Sequence, residues 1–314
     1  FFRRGFQHFD VSTRCAPCVS GLAALLFRAL EKAGRDYTTF APPEWMTASD
    51  VTAKALRIIE HGNRPYFLAL NYMDAHGPYY VERACRGPGF MAVPPADWKA
   101  WERTYKSRVP LAPEPAARLR AQYRAAMQCM DRSIGRLLDK AAQNPNGRPT
   151  VIAVVGDHGE EFGSHDTVGH GQTLYRQALH VPLIVIAPEQ APQRVARDVS
   201  TLDLYDQLLR YLPGSRQPLQ PQPQPVIASY KVVDSPRPAK FSAAFSAVQG
   251  RYHLIQWRDG SEELYDLDAD VEETKPLPIP TDDLALAQLS AELHRNAMEE
   301  SAGDISLHGL GYLE

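Results

Sequence analysis

The 314-residue chain has no apolar run long enough to span a bilayer and no signal peptide. It holds only four cysteines (Cys15, Cys18, Cys85 and Cys129). Four are too few for a disulfide scaffold, and they leave the redox compartment open. A large excess of charge of either sign is also lacking. A net charge of −3 argues against strong attraction to nucleic acid or to an acidic membrane. No internal repeat is present. An initiator methionine is lacking too: the chain opens on the apolar and basic run Phe1-Phe2-Arg3-Arg4, which reads as an internal start with an upstream segment missing. The lack of a targeting signal therefore says nothing about the intact protein.

What is there is ordinary for a soluble globular protein, with 44% hydrophobic and 23% charged residues. The length suits one large α/β domain or two domains. Residues 19–33 and 49–60 carry apolar side chains at helical spacing, with Thr47 or Ser49 as candidate caps of the second helix. The run 66–72 (YFLALNY) predicts a buried strand. A long helix is expected over 114–143, with Leu119, Tyr123, Met127, Met130, Ile134 and Leu137 on one face. The β-branched runs 150–155 and 181–187 predict buried strands. Helices alternating with such strands indicate an α/β sheet covered on both faces. A Pro/Gln-rich linker over 213–225 separates this core, residues 1–212, from a smaller C-terminal α+β subdomain, residues 226–314. Short strands are expected there at 226–230, 242–248, 252–257 and 262–266, then a helix over 282–299.

The chemistry gathers after the 150–155 strand, in Gly156-Asp157-His158-Gly159-Glu160-Glu161. In open α/β sheets, ligands bind beyond the carboxyl ends of strands. Asp157 and His158 offer a hard oxygen and an imidazole nitrogen, a pair suited to a divalent cation. Alone, the hexapeptide serves equally as a polar loop in which Asp157 caps the next helix. Four histidines (His158, His165, His170 and His180) lie within 23 positions of a chain holding ten in all. Histidine near neutral pKa coordinates metal, binds anions or shuttles protons. His180, outside the glycine-flanked positions, reads as structural.

The segment GDHGEEFGSH…GHG…LY…HVPLIV resembles the sulfatase pattern of the alkaline phosphatase superfamily. Gly5 to Asp10 resembles its GFdxF segment, and Phe67 to Tyr79 its strand ending in H-x-P-Y. Tyr123…Asp131 to Leu138 resembles the helix before the metal strand, Glu263 to Asp270 the ELYDLxxDPxE motif, and Leu310 to Leu313 the LGYL ending. The resemblance implies an alkaline phosphatase-like central mixed sheet flanked by helices. It also implies Asp157 and His158 as metal ligands, and His76 and His170 as sulfate-binding and catalytic residues, with His170 as general acid. His165 is left between a structural and a supporting role. The implied cofactor is one divalent ion: calcium first, with magnesium, manganese and zinc open.

The family's paired N-terminal aspartates and nucleophile would precede Phe1, so the chain alone is expected to be inactive. Cys15-Ala16-Pro17-Cys18-Val19 resembles the formylglycine signal C-x-P-x-R, but Val19 stands where the arginine belongs and the segment follows GFdxF. Cys15 is therefore set aside as nucleophile, and no thioredoxin-like context supports a Cys15–Cys18 redox pair. The implied activity is hydrolysis of small-molecule or glycan sulfate esters. The alternative is a phosphotransferase or phosphodiesterase acting on lipid head groups or glycans. A third reading, a degenerate binding module, is disfavoured because Asp157, His158, His76 and His170 are all retained. Family resemblance places the intact protein in the periplasm, outside the cell or at a membrane, and leaves room for a membrane tether in the missing N-terminal region.

Overall fold

Thr47 starts the first described helix of the computed structural model, which describes residues 46–62, 65–143, 147, 149–188, 190–211, 225–231, 243–279, 289–291 and 293. The expected helix at 19–33, the GFdxF-like segment, Cys15, Cys18, the LGYL ending, nearly all of the linker and most of the helix at 282–299 lie outside these residues. The chain divides into two compact units, Phe2–Thr150 and Val151–Glu314.

In the first unit, α1 (Ala48–His61) begins with a capping box: the Thr47 hydroxyl accepts from Asp50 N, and Asp50 accepts from Thr47 N. Two carboxylates from a later loop satisfy further free amides of this helix start, Asp74 taking Ala48 N at 3.1 Å and Glu82 taking Ser49 N at 2.9 Å. Helix α2 (Pro95–Ser107) was not anticipated, although Pro95 opens it at a position where proline loses nothing. Arg118 of α3 (Pro113–Ala142) grips the buried Asp97 of α2 with two bonds of 2.6 and 3.1 Å.

The buried stripe of α3 runs through Leu119, Gln122, Ala126, Cys129 and Ser133. It lies about one position away from the expected face, whose Tyr123, Met127, Met130, Ile134 and Leu137 are only half-buried. The cause is local. Small residues let α1 approach closely, with Thr52 Oγ1 donating to Ser133 O at 3.2 Å, and Gln122 satisfies Val93 N and the carbonyls of Pro78 and Tyr79. A Cys85–Cys129 disulfide ties the 80s loop to the same stripe. The expected strand at 66–72 is absent. No ladder partner meets it among the described residues, and Phe67 is 71% exposed. An apolar run becomes a strand only where a neighbour completes the ladder.

In the second unit, β1 (Ile152–Val155) pairs antiparallel with β4 (Leu183–Ile186), and β2 (Glu161–Phe162) with β3 (Val168–Gly169). Both long strands fall where expected but are less buried than their apolar runs suggest, with Val155, Ile184 and Ile186 exposed. Between β3 and β4 comes the single turn α4 (Arg176–Leu179), and α5 (Asp203–Leu209) follows β4. The C-terminal strands match expectation closely: β5 (Val226–Lys231), β6 (Ala243–Gln249), β7 (Tyr252–Trp257) and β8 (Glu262–Asp266) form one antiparallel meander.

This meander is covered on both faces. Ala244, Ile255, Trp257 and Tyr265 pack on Leu174 and Tyr175, while Ala247, Leu254 and Leu264 pack on Leu289 and Leu293. The first face thereby presses the sheet against the segment that follows β3. Among the described residues, no helix is long and apolar enough to cross a membrane.

Candidate functional site

Chain reversal after β1 is fixed by two backbone bonds, Gly156 N to Pro182 O at 3.0 Å and Gly159 N to Ala178 O at 2.7 Å. At Gly159 a side chain has no room, since a Cβ would stand 1.9 Å from Gln177 O. Asp157, His158 and Glu160 are thereby carried out beyond the strand end.

His158 places Nδ1 2.8 Å from Gly159 O. A carbonyl only accepts, so Nδ1 carries the hydrogen and Nε2 keeps its lone pair, the arrangement of a metal-binding histidine. Asp157 is exposed, with one carboxylate oxygen capping His158 N at 3.0 Å and the other 3.7 Å from His158 Nε2. Gly169 and Gly171, with φ of 77° and 71°, bracket His170 and turn it inward. Its ring stacks on His158 with centroids 3.8 Å apart, and its Nδ1 lies 3.0 Å from Glu160 Oε2. A carboxylate accepts here, so His170 Nδ1 donates.

His158, Glu160 and His170 each offer a ligand atom within 4.8 Å of one another. The structure thus brings together two of the four expected residues, adds Glu160, and keeps Asp157 beside His158. Glu160 was missed because the Asp-His pair drew the metal reading. Its signal was its place two residues after His158 in a loop already bracketed by glycines. His76 belongs to the first unit, where its Nδ1 meets Gly77 O at 2.8 Å, the same backbone lock seen at His158. His165 turns away from the cluster: its Nε2 donates to Glu273 O at 2.7 Å and its ring stacks on Tyr175 at 3.5 Å. His180 lies at the surface beside Arg176, and partial burial, followed by that guanidinium, lowers its pKa.

The geometry stands in a chain whose residues 18–215, more than half its length, match the sulfatase family model. This chain belongs to the sulfatase family. It is similar to the uncharacterized sulfatase YidJ of Escherichia coli (strain K12), at 23% identity over 243 residues, covering 74% of this chain and 47% of that one. Human iduronate 2-sulfatase is 25% identical over 196 residues, covering 53% of this chain and 36% of that enzyme. The chain spans about half the length of the curated relatives it matches, or less. The crystal structure of a phosphonate monoester hydrolase of Agrobacterium radiobacter superposes with a TM-score of 0.58 at 17% identity, over 90% of this chain and 68% of that one. That likeness establishes the mixed α/β, alkaline phosphatase-like fold.

Sulfatase-family proteins generally use a divalent metal. The donors present fit one. Ions of this class take imidazole and carboxylate ligands at about 2.0–2.6 Å, so donors 3.7 Å apart can share one ion.

Proposed function

We propose that the full-length protein hydrolyses sulfate esters at the cluster formed by Asp157, His158, Glu160 and His170. The observation that carries this reading is the meeting of His158 and His170, their rings stacked at 3.8 Å and each Nδ1 committed to a fixed acceptor, within a sulfatase-family chain. His158 and Asp157 would hold a divalent ion, with Glu160 within reach. Such an ion supplies positive charge against the oxygens of the reacting group.

The remaining work falls to the protein's own side chains. Glu160 holds the Nδ1 hydrogen of His170, so in the imidazolium form Nε2–H gives its proton to the ester's departing oxygen and leaves a neutral ring still bonded to Glu160 through Nδ1. Sulfated glycans or small sulfate esters are the substrate class, in line with the relationship to human iduronate 2-sulfatase. We place the protein in an oxidising compartment, the periplasm or the cell exterior, a reading supported by the Cys85–Cys129 disulfide.

Turnover of 4-nitrophenyl sulfate and 4-nitrophenyl phosphate by the full-length protein tests the reading. Preference for the sulfate supports it. Preference for the phosphate transfers the site to phosphoryl chemistry, and turnover of neither removes the hydrolase reading.

A further inference from the structure

Glu273 has no exposed surface and His253 is 1% exposed, so a carboxylate and an imidazole are paired inside the second unit, away from the cluster. A buried carboxylate is costly unless its oxygens are all engaged. Here Oε1 meets His253 Nδ1 and Oε2 accepts the backbone N–H of Arg176, the first residue of α4. The backbone carbonyl of Glu273 takes the His165 imidazole at 2.7 Å. A left-handed backbone, φ 55°, points Glu273 inward, with its N–H bonded to Asp270 O at 3.1 Å. Among the described residues, the Glu273 carboxylate is the one side-chain partner of His253, whose Nε2 is buried without a hydrogen bond.

Both contacts land on the segment that builds the site. His165 and Arg176 flank His170 in sequence. Arg176 opens α4, whose Ala178 carbonyl accepts Gly159 N at 2.7 Å and so fixes the loop of His158 and Glu160. One buried acid therefore clamps the histidine loop and, through α4, the turn after β1.

We propose that Glu273, held by His253, is a positioning residue: it transmits the rigidity of the C-terminal sheet to the His158–Glu160–His170 cluster. Its consequence for turnover rests on the sulfate-ester reading; its effect on loop order does not.

The test compares Glu273→Ala, Glu273→Gln and Leu254→Ala in the full-length protein. Leu254 is equally buried but sits on the opposite face of the same sheet, among Leu264, Leu289 and Leu293. Hydrogen exchange over residues 157–180 is expected to accelerate at least about tenfold in Glu273→Ala, to be partly restored in Glu273→Gln, and to stay at the wild-type rate in Leu254→Ala. On an aryl sulfate, kcat should fall at least about tenfold with KM within about threefold, because misplaced groups lose rate before binding. Unchanged exchange in both Glu273 variants overturns the proposal. So does faster exchange with an unchanged kcat, or equal loosening by Leu254→Ala at the same loss of Tm. If exchange responds as expected while the wild-type protein turns over no sulfate ester, the clamp stands and the hydrolase reading falls.

Discussion

His170 donates from Nδ1 to Glu160 at 3.0 Å while its ring lies against His158, so a single acid sets the direction of one imidazole and the spacing of two. Replacing Glu160 with Ala should cost turnover selectively. With a poor leaving group such as phenyl sulfate the rate should fall at least about tenfold further than with 4-nitrophenyl sulfate, because only the poor leaving group needs the proton. Equal losses on both esters would remove His170 as general acid.

Gly159 carries a steric demand that Gly156 does not. A Cβ at Gly159 would meet backbone oxygen at 1.9 Å, whereas at Gly156 the nearest atom is a side-chain carbon of Val181 at 3.1 Å. Gly159→Ala should therefore destabilise by about 2–4 kcal/mol and Gly156→Ala by clearly less. Thermal unfolding of the two variants checks the order. Equal shifts would mean that the α4 carbonyl does not confine this turn.

Asp74 is fully buried, with one oxygen on Ala48 N and the other unpartnered. Burial first, and the nearby Glu82 and Asp50 carboxylates, push its pKa from 3.8 to about 6. A raised folded-state value means that its contribution to stability is fully present below about pH 4 and is lost as pH rises through about 6. Asp74→Asn stays neutral and keeps an oxygen for Ala48. Its stability relative to wild type should grow by up to roughly 3 kcal/mol between pH 4 and pH 7.5. Urea midpoints at the two pH values measure this, and a constant difference would contradict the assignment.

The Cys85–Cys129 bridge closes a 44-residue separation. Replacing both cysteines with serine should cost about 2–4 kcal/mol and lower Tm by several degrees. The wild-type protein should lose the same amount in reductant, and the double variant should lose nothing further. A wild-type Tm insensitive to reductant would contradict both the bridge and the oxidising compartment proposed from it.

The meander from Val226 to Asp266 was legible because short apolar runs separated by turn residues announce antiparallel strands whatever surrounds them. The turn after β1 was legible because Gly156 and Gly159 follow a β-branched run, which marks a strand end and a tight reversal. The face of α3 was misplaced because large apolar residues mark a stripe only when size decides packing; here Ala126, Ser133 and Cys129 decide it by letting neighbours approach. The strand at 66–72 was misread because its own letters cannot report whether a partner strand exists. The disulfide and the Glu273–His253 pair depend on contacts between positions distant in sequence, and no local pattern encodes those.

The most direct measurement of the central claim is turnover of 4-nitrophenyl sulfate by the full-length protein after chelation and after return of a divalent ion, in wild type and in His158→Ala. Wild-type activity should vanish on chelation and return with the ion, and His158→Ala should stay inactive in both conditions. Wild-type activity that survives chelation, or a His158→Ala variant working at the wild-type rate, would contradict the account.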